Sequence, residues 1–357
     1  MGVSAMTIDL GDRNDPHAQA RAARQTPLLL HSLTVFAEVI GRLFDVTAPH
    51  TVIEVGVESG GASATYLDHG ASTVYCIEPA PTEHMRHALA ENPKLHLVEG
   101  FSPAILSDIP IGDVYVIDGD HNYATVRGEL DWILANAPDA VVILHDLLWP
   151  WGRRDLYYSA AALDPANVHA NTVDGPTVWH DETTPAGFVG LGHFTAAVDA
   201  GGERNGVLTA VEDALAADTA GTHELALIPA VFGLGIIFPT VTEQQATKIR
   251  AALEPYHHSQ LLSAMENNRI ALYTRVLAMQ FDMAAAADDR DDLVRQLHQH
   301  RADLEAREEE ILRLQRELAA ARTTPAAAVA ASGITRRARN KAASAVRGIK
   351  LPIRAHR

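Results

Sequence analysis

Two stretches of apolar residues run straight into acids and histidines. One is Val116-Ile117-Asp118-Gly119-Asp120-His121-Asn122-Tyr123, and the other is Ile143-Leu144-His145-Asp146. Carboxylates are hard oxygen donors suited to a Mg2+-type cation, and a histidine near neutrality can take a proton. Each stretch alone could be a turn or a helix cap. If both end adjacent strands, Asp118 and Asp146 face a common point as metal ligands. His121, Asp120 and His145 stand beside them in the chain. Upstream, Glu54-Val55-Gly56-Val57-Glu58-Ser59-Gly60-Gly61 is a strand end with glycines that allow a tight turn close to a ligand. It is not the dinucleotide fingerprint, because Glu58 stands where G-x-G-x-x-G needs its second glycine. Glu78, just over twenty residues after the loop, is placed to accept ribose hydroxyls of a nucleoside. Glu99-Gly100-Phe101-Ser102 would form the side wall for an adenine.

These residues need a scaffold that brings strand ends together, and the hydropathy pattern supplies one. Short β-rich runs at Thr51–Val55, Thr73–Ile77, Leu95–Val98, Val114–Ile117 and Ala140–Leu144 alternate with helical segments at Ala62–Leu67, Thr82–Ala90 and Tyr123–Asn136. A helix starting at Thr26 precedes them. Such alternation predicts an α/β fold, a doubly wound Rossmann-like sheet with ligands at the carboxyl ends of the strands. The rhythm breaks over residues 147–204, which hold Trp149, Trp151 and Trp179 and read as an ordered lid. It resumes with a helix at Gly206–Ala216 and strands at Leu225–Ile228 and Gly235–Phe238, joined closely enough for an antiparallel hairpin.

The combination EVGVESGGAS, IEP, VIDGDHNY and ILHD resembles class I S-adenosylmethionine-dependent methyltransferases, in the branch with D-G-D-H-x-Y after the fourth strand and H-D after the fifth. The resemblance covers residues 28–240. It implies seven strands with the last antiparallel, and Glu54, Gly56 and Gly60 lining the amino-acid end of S-adenosylmethionine. It further implies Glu78 on the ribose, Ser102 near the adenine, Asp118 and Asp146 on Mg2+, and His121 as base. The lid segment, with WPWGRRDLYY, resembles a subgroup associated with bacterial glycan or natural-product modification, which implies a saccharide or glycosylated metabolite as acceptor. His145 departs from relatives with two adjacent acids after the fifth strand. Two other readings stay open. One is a cephalosporin-hydroxylase-like oxygenase whose iron would use His121, His145 and Asp118 or Asp146. The other is a non-catalytic methyltransferase-like scaffold oligomerised by its coiled coil.

The chain of 357 residues carries 29 Lys and Arg against 45 Asp and Glu, a net −16 that disfavours a nucleic-acid partner for the body. Cys76 is the single cysteine, which excludes a disulfide framework. The start is polar, without a basic-then-apolar signal, and no stretch is apolar enough to span a bilayer, so a cytoplasmic setting is expected. The expected organisation is a flexible leader over 1–26, a methyltransferase domain over 27–240 with its lid, and a helical segment over 241–286. A coiled coil over 287–322, its heptads legible over 290–321, predicts a homo-oligomer. A linker and basic tail fill 323–357. From Ser332 onward the tail holds eight Lys or Arg and no acid, with apolar residues at helical spacing. It would suit an anionic membrane surface at the inner face of the membrane.

Overall fold

The computed structural model describes residues 17–25, 32–57 and 60–323, and the chain divides into compact units Met1–Asp282 and Met283–Arg357. The basic tail, its expected helix and the linker from residue 324 lie outside the described residues, as do Glu58, Ser59 and residues 26–31, where the first core helix was expected to start. A short helix, α1 (Ala18–Gln25), falls within the expected leader. A 3-10 turn at Leu33–Phe36 leads into α2 (Ala37–Thr47), which buries Val39, Ile40, Leu43 and Phe44.

Strands and helices then alternate in the expected order. They run β1 (Thr51–Val55), α3 (Gly61–Asp68), β2 (Thr73–Ile77), α4 (Glu83–Ala90), β3 (Leu95–Val98), β4 (Val114–Ile117), α5 (Tyr123–Asn136) and β5 (Val141–Leu144). Asn122 sets the start of α5 by accepting the Thr125 amide at 2.9 Å, which satisfies a donor the helix itself leaves unpaired. Every residue of β4 and β5 is buried, the reason their sequences are apolar without alternation.

The inserted segment carries three very short strands, β6 (Leu156–Tyr157), β7 (Asn171–Thr172) and β8 (Thr195–Ala197), paired antiparallel in the order β6-β8-β7. After α6 (Val207–Ala217), β9 (His223–Ile228) and β10 (Leu234–Pro239) complete the main sheet. Its order is β3-β2-β1-β4-β5-β10-β9, and β10 is antiparallel to both neighbours. This is the seven-stranded Rossmann-like methyltransferase sheet. Helix α7 (Glu243–Leu253) follows, and beyond Pro255 the chain enters α8 (Gln260–Thr323), 64 residues long. No helix among the described residues is long and apolar enough to cross a membrane.

Side chains of a strand point alternately to its two faces, and the sheet therefore separates two cores. Val52, Val74, Val114 and Ile143 pack under α2, α3 and α7. Ile53, Tyr115, Val142 and Leu144 pack under α5 and α6. The insertion is tied to the second layer. Trp151 is buried with its ring centroid 5.8 Å from that of Phe188 and 5.6 Å from that of Phe194.

Asp155 is the polar anchor of the insertion. It is fully buried and accepts from the Tyr123 amide at 2.8 Å, the Gly206 amide at 2.7 Å and the Tyr157 hydroxyl at 2.8 Å. One carboxylate thereby joins the starts of α5 and α6 to β6. Asp155→Ala strands two buried amides and should lower stability by about 3 kcal/mol or more, read as a reduced midpoint in urea unfolding. A midpoint matching the parent would contradict the anchoring role.

Candidate functional site

The sheet register sets the geometry. Val55 is opposite Ile117, and Ile117 is opposite Leu144, so the next residues, Gly56, Asp118 and His145, lie abreast on three adjacent strand ends. The ladder continues one step past the strands, through Asp118 N–H to Val55 O at 2.9 Å and His145 N–H to Ile117 O at 3.1 Å. Gly56 has φ +85°, and a Cβ there would lie 2.3 Å from the Asp118 carbonyl oxygen and 2.5 Å from Gly119 Cα. Only glycine fits that approach. Gly60, at φ +78°, precedes the first turn of α3.

Three of the expected residues form one cluster. Asp118, His145 and Asp146 each offer a ligand atom, all within 4.8 Å of one another, the arrangement needed to hold a cation. His145 Nδ1 lies 3.0 Å from Asp118 Oδ1 and 3.7 Å from Asp146 Oδ1, and its Nε2 is 2.8 Å from the Val231 carbonyl oxygen. Burial opposes a charge on His145, but the carboxylates of Asp118 and Asp146 outweigh it and raise the imidazole to about 9. Asp146 adopts the left-handed conformation at φ +61°, uncommon for a residue with a side chain and typical of constrained functional positions. Its Oδ1 is buried and lacks a hydrogen-bond partner among the described residues. A donor set of two carboxylates and one imidazole, with an orphaned carboxylate oxygen, fits a divalent cation. With a cation present, the Nδ1 proton would be displaced by its charge, and the Val231 carbonyl would keep the remaining proton on Nε2 and so orient His145 as a ligand through Nδ1.

His121 pairs with Asp146 rather than with Asp118. Its Nδ1 is 3.3 Å from Asp146 Oδ2, both side chains are largely buried, and its ring faces Tyr158 at 6.2 Å between centroids. Asp120 points elsewhere. It accepts from Thr125 at 3.1 Å, its Oδ1 has no partner among the described residues, and burial raises its carboxyl above the usual range.

The residues expected around a nucleoside occupy the other half of this edge. Glu78 Oε1 accepts the Ala80 amide at 3.0 Å and Oε2 the Val57 amide at 3.5 Å, bridging the ends of β1 and β2. Glu54 lies on the α3 face of the sheet, buried, and accepts from the hydroxyls of Ser63 and Tyr66. Burial raises its carboxyl to about 8 against the pull of those donors. Ser102 donates to Glu129, a fully buried carboxyl of α5 whose second oxygen is unpartnered among the described residues. Burial raises Glu129 to about 8 as well.

Ser63, Tyr66 and Glu129 were not among the expected site residues. A signal for Glu129 exists in its position beside Val126, Leu130 and Ile133, the buried face of α5. An acid on such a face is out of place unless it is bonded.

Comparison with known proteins gives one family-model match, over part of the chain. Residues 53–147 match the family model described as a methyltransferase domain. The segment runs from β1 to just past β5 and contains the three aligned strand ends. Among curated proteins the comparison finds no match. Similar solved structures include a methyltransferase from Geobacter sulfurreducens, 16% identical over 64% of this chain and 91% of that chain, with a TM-score of 0.35. They also include a methyltransferase from Podospora anserina bound to SAH, at 14% identity over 67% and 99%, TM-score 0.34. An O-methyltransferase from Bacillus cereus in complex with SAH is 18% identical over 36% of this chain and 64% of that chain, TM-score 0.30.

The raised Glu129 has a pH consequence. The unfolded chain loses this proton near the ordinary value of 4.5 and the folded chain near 8. The stabilisation from holding it neutral is complete below the lower value and disappears as pH rises to the higher one. Glu129→Gln keeps an acceptor for Ser102 and cannot ionise. Its stability relative to the parent should therefore improve between about pH 5 and about pH 8, measured by urea unfolding at both. A gap independent of pH would rule this out.

Proposed function

We propose that the protein is an S-adenosylmethionine-dependent O-methyltransferase, assisted by a divalent cation, acting on a hydroxyl of a saccharide or glycosylated metabolite. The observation that carries this reading is the alignment of Gly56, Asp118 and His145 on adjacent strand ends, with the His121–Asp146 pair beside them. The family match over the same strands supports methyl transfer. Gly56, Gly60 and Glu54 would serve the amino-acid end of the cofactor, Glu78 its ribose, and Ser102, held by Glu129, its adenine. When bound, S-adenosylmethionine supplies an electrophilic methyl group.

An alcohol is a weak nucleophile at neutral pH, since its proton leaves only far above 7. His121 is the group that answers this. Asp146 Oδ2 lies 3.3 Å from Nδ1, so a proton held on Nδ1 leaves Nε2 with a lone pair for the hydroxyl proton, and the nearby carboxylate stabilises the imidazolium that results. Asp118, Asp146 and His145 would hold the cation, which supplies Lewis acidity towards the hydroxyl oxygen. Mg2+ suits the carboxylates, and the imidazole also admits Mn2+. The cluster has a single imidazole, and His121 falls outside it, so the two-histidine iron site of an oxygenase is not favoured.

Calorimetry with S-adenosylmethionine should show binding, and absence of heat at saturating cofactor ends the reading. His121→Ala should lower turnover by ~10²–10⁴ while keeping cofactor affinity. Asp118→Ala and EDTA treatment should each abolish most turnover, restored by Mg2+ or Mn2+ in the parent only. If binding stands but neither treatment matters, the cation has no part in the reaction.

A further inference from the structure

Within the first unit, α8 has two distinct sides. Glu266 and Thr274 are buried, and Glu266 accepts the Phe232 amide at 2.8 Å. Arg269 lies over the Phe232 ring and pairs with Glu266. The other side carries Met265, Leu272, Val276 and Met279, between 48 and 68% exposed. Single exposed apolar side chains are ordinary, but a stripe of large ones marks an interaction surface.

The spacing of the stripe identifies the kind of partner. Steps of three and four residues repeat every seven, the 3.5-residue period that keeps one face of a helix against another helix. In the second unit Leu293, Leu297, Leu304, Ile311, Leu314 and Leu318 are likewise exposed at this period. Counting by sevens from Met265 passes Leu272, Met279 and Ala286 and reaches Leu293. Counting from Val276 passes Met283 and Arg290 and reaches Leu297. The two stretches therefore share one heptad phase, with Val276, Leu297, Leu304 and Ile311 at a and Leu272, Met279 and Leu293 at d, while the a position before Leu272 is Arg269, held against Phe232 and Glu266.

We propose that α8 pairs with α8 of a second copy of this chain as a parallel, in-register two-stranded coiled coil that begins at Leu272, just past Arg269 and well before the heptads legible from residue 290. Charge favours this occupant and this register. In such a pair a side chain at a lies beside the g residue of the other helix, and one at d beside the e residue. Arg290 at a then meets Asp289 of the second copy, and Arg307 at d meets Glu308 of the second copy. A slip of one heptad replaces three of these four arginine–carboxylate neighbours by Gln296, Gln315 and Arg301. A cation at an a position is itself a device that specifies register and favours two strands. The inference does not depend on the methyl-transfer reading, since it uses no residue of that site.

Sedimentation equilibrium of the full chain should give the mass of a dimer, and a monomer at all accessible concentrations overturns the proposal. Leu272→Glu and Leu304→Glu each place a charge in the seam and should raise the dimer dissociation constant at least about tenfold. Both residues are exposed in the single chain, so circular dichroism of the variants should keep its helical signal. Cys76 is buried and is the single native cysteine, which lets introduced cysteines report alone. Val276→Cys and Ile311→Cys should each form an intermolecular disulfide with their own counterpart on mild oxidation. A dimer that cross-links at neither position overturns the parallel register. Cross-linking at 311 alone, with Leu272→Glu dimerising normally, overturns the start at Leu272.

Discussion

The strand ends can carry chemistry only because β1 and β4 approach as closely as they do where they leave the sheet. At Gly56 the backbone turns with positive φ, and the Asp118 carbonyl occupies the space where a side chain would begin. That contact brings the loop after β1 against the residues that follow β4. A parallel ladder then extends the alignment sideways, since the register that pairs Val55 with Ile117 also pairs Ile117 with Leu144. Every polar group at this edge inherits its position from that stack of backbone hydrogen bonds.

The second constraint is the placement of charge out of water. Glu54 and Glu129 are both buried carboxyls held up at about 8, each met by a hydroxyl, from Ser63 and Ser102 respectively. His145 is also buried yet favours its charged form, because it faces two carboxylates where the glutamates face neutral donors. Burial disfavours charge in all three cases, and the partners decide the outcome. The fold thus holds neutral acids at Glu54 in β1 and Glu129 in α5, and a concentration of opposite charges at Asp118, His145 and Asp146. The inserted segment reaches this arrangement at Tyr158, whose ring centroid lies 6.2 Å from that of His121, and is anchored through Asp155 and Trp151.

Much of the fold was legible in the amino-acid order. The bounds of Val114–Ile117 and Tyr123–Asn136 follow directly from an apolar run and from a helical period, and the structure adds Asn122 as the cap of that helix. The hairpin that closes the sheet could be read from the short link between two apolar segments. The small sheet of the insertion could not, because strands of two or three residues are too short to display alternation. Asp155 and Glu129 look like ordinary surface acids in a one-dimensional reading. Their burial depends on Gly206, Tyr123 and Ser102, residues distant in sequence.

What the sequence determined by itself is the succession of elements and the residues standing at their ends, because hydrophobic period and capping are local and repeat within a few positions. It placed Asp118 and Asp146 at a common point, with His121 and His145 beside them in the chain. Tertiary structure alone decided who pairs with whom. His121 turns to Asp146 and His145 to Asp118, and the left-handed backbone at Asp146 leaves one carboxylate oxygen facing His145 without a hydrogen-bond partner. Those choices depend on strand register and side-chain direction across separate segments, quantities that no local pattern encodes.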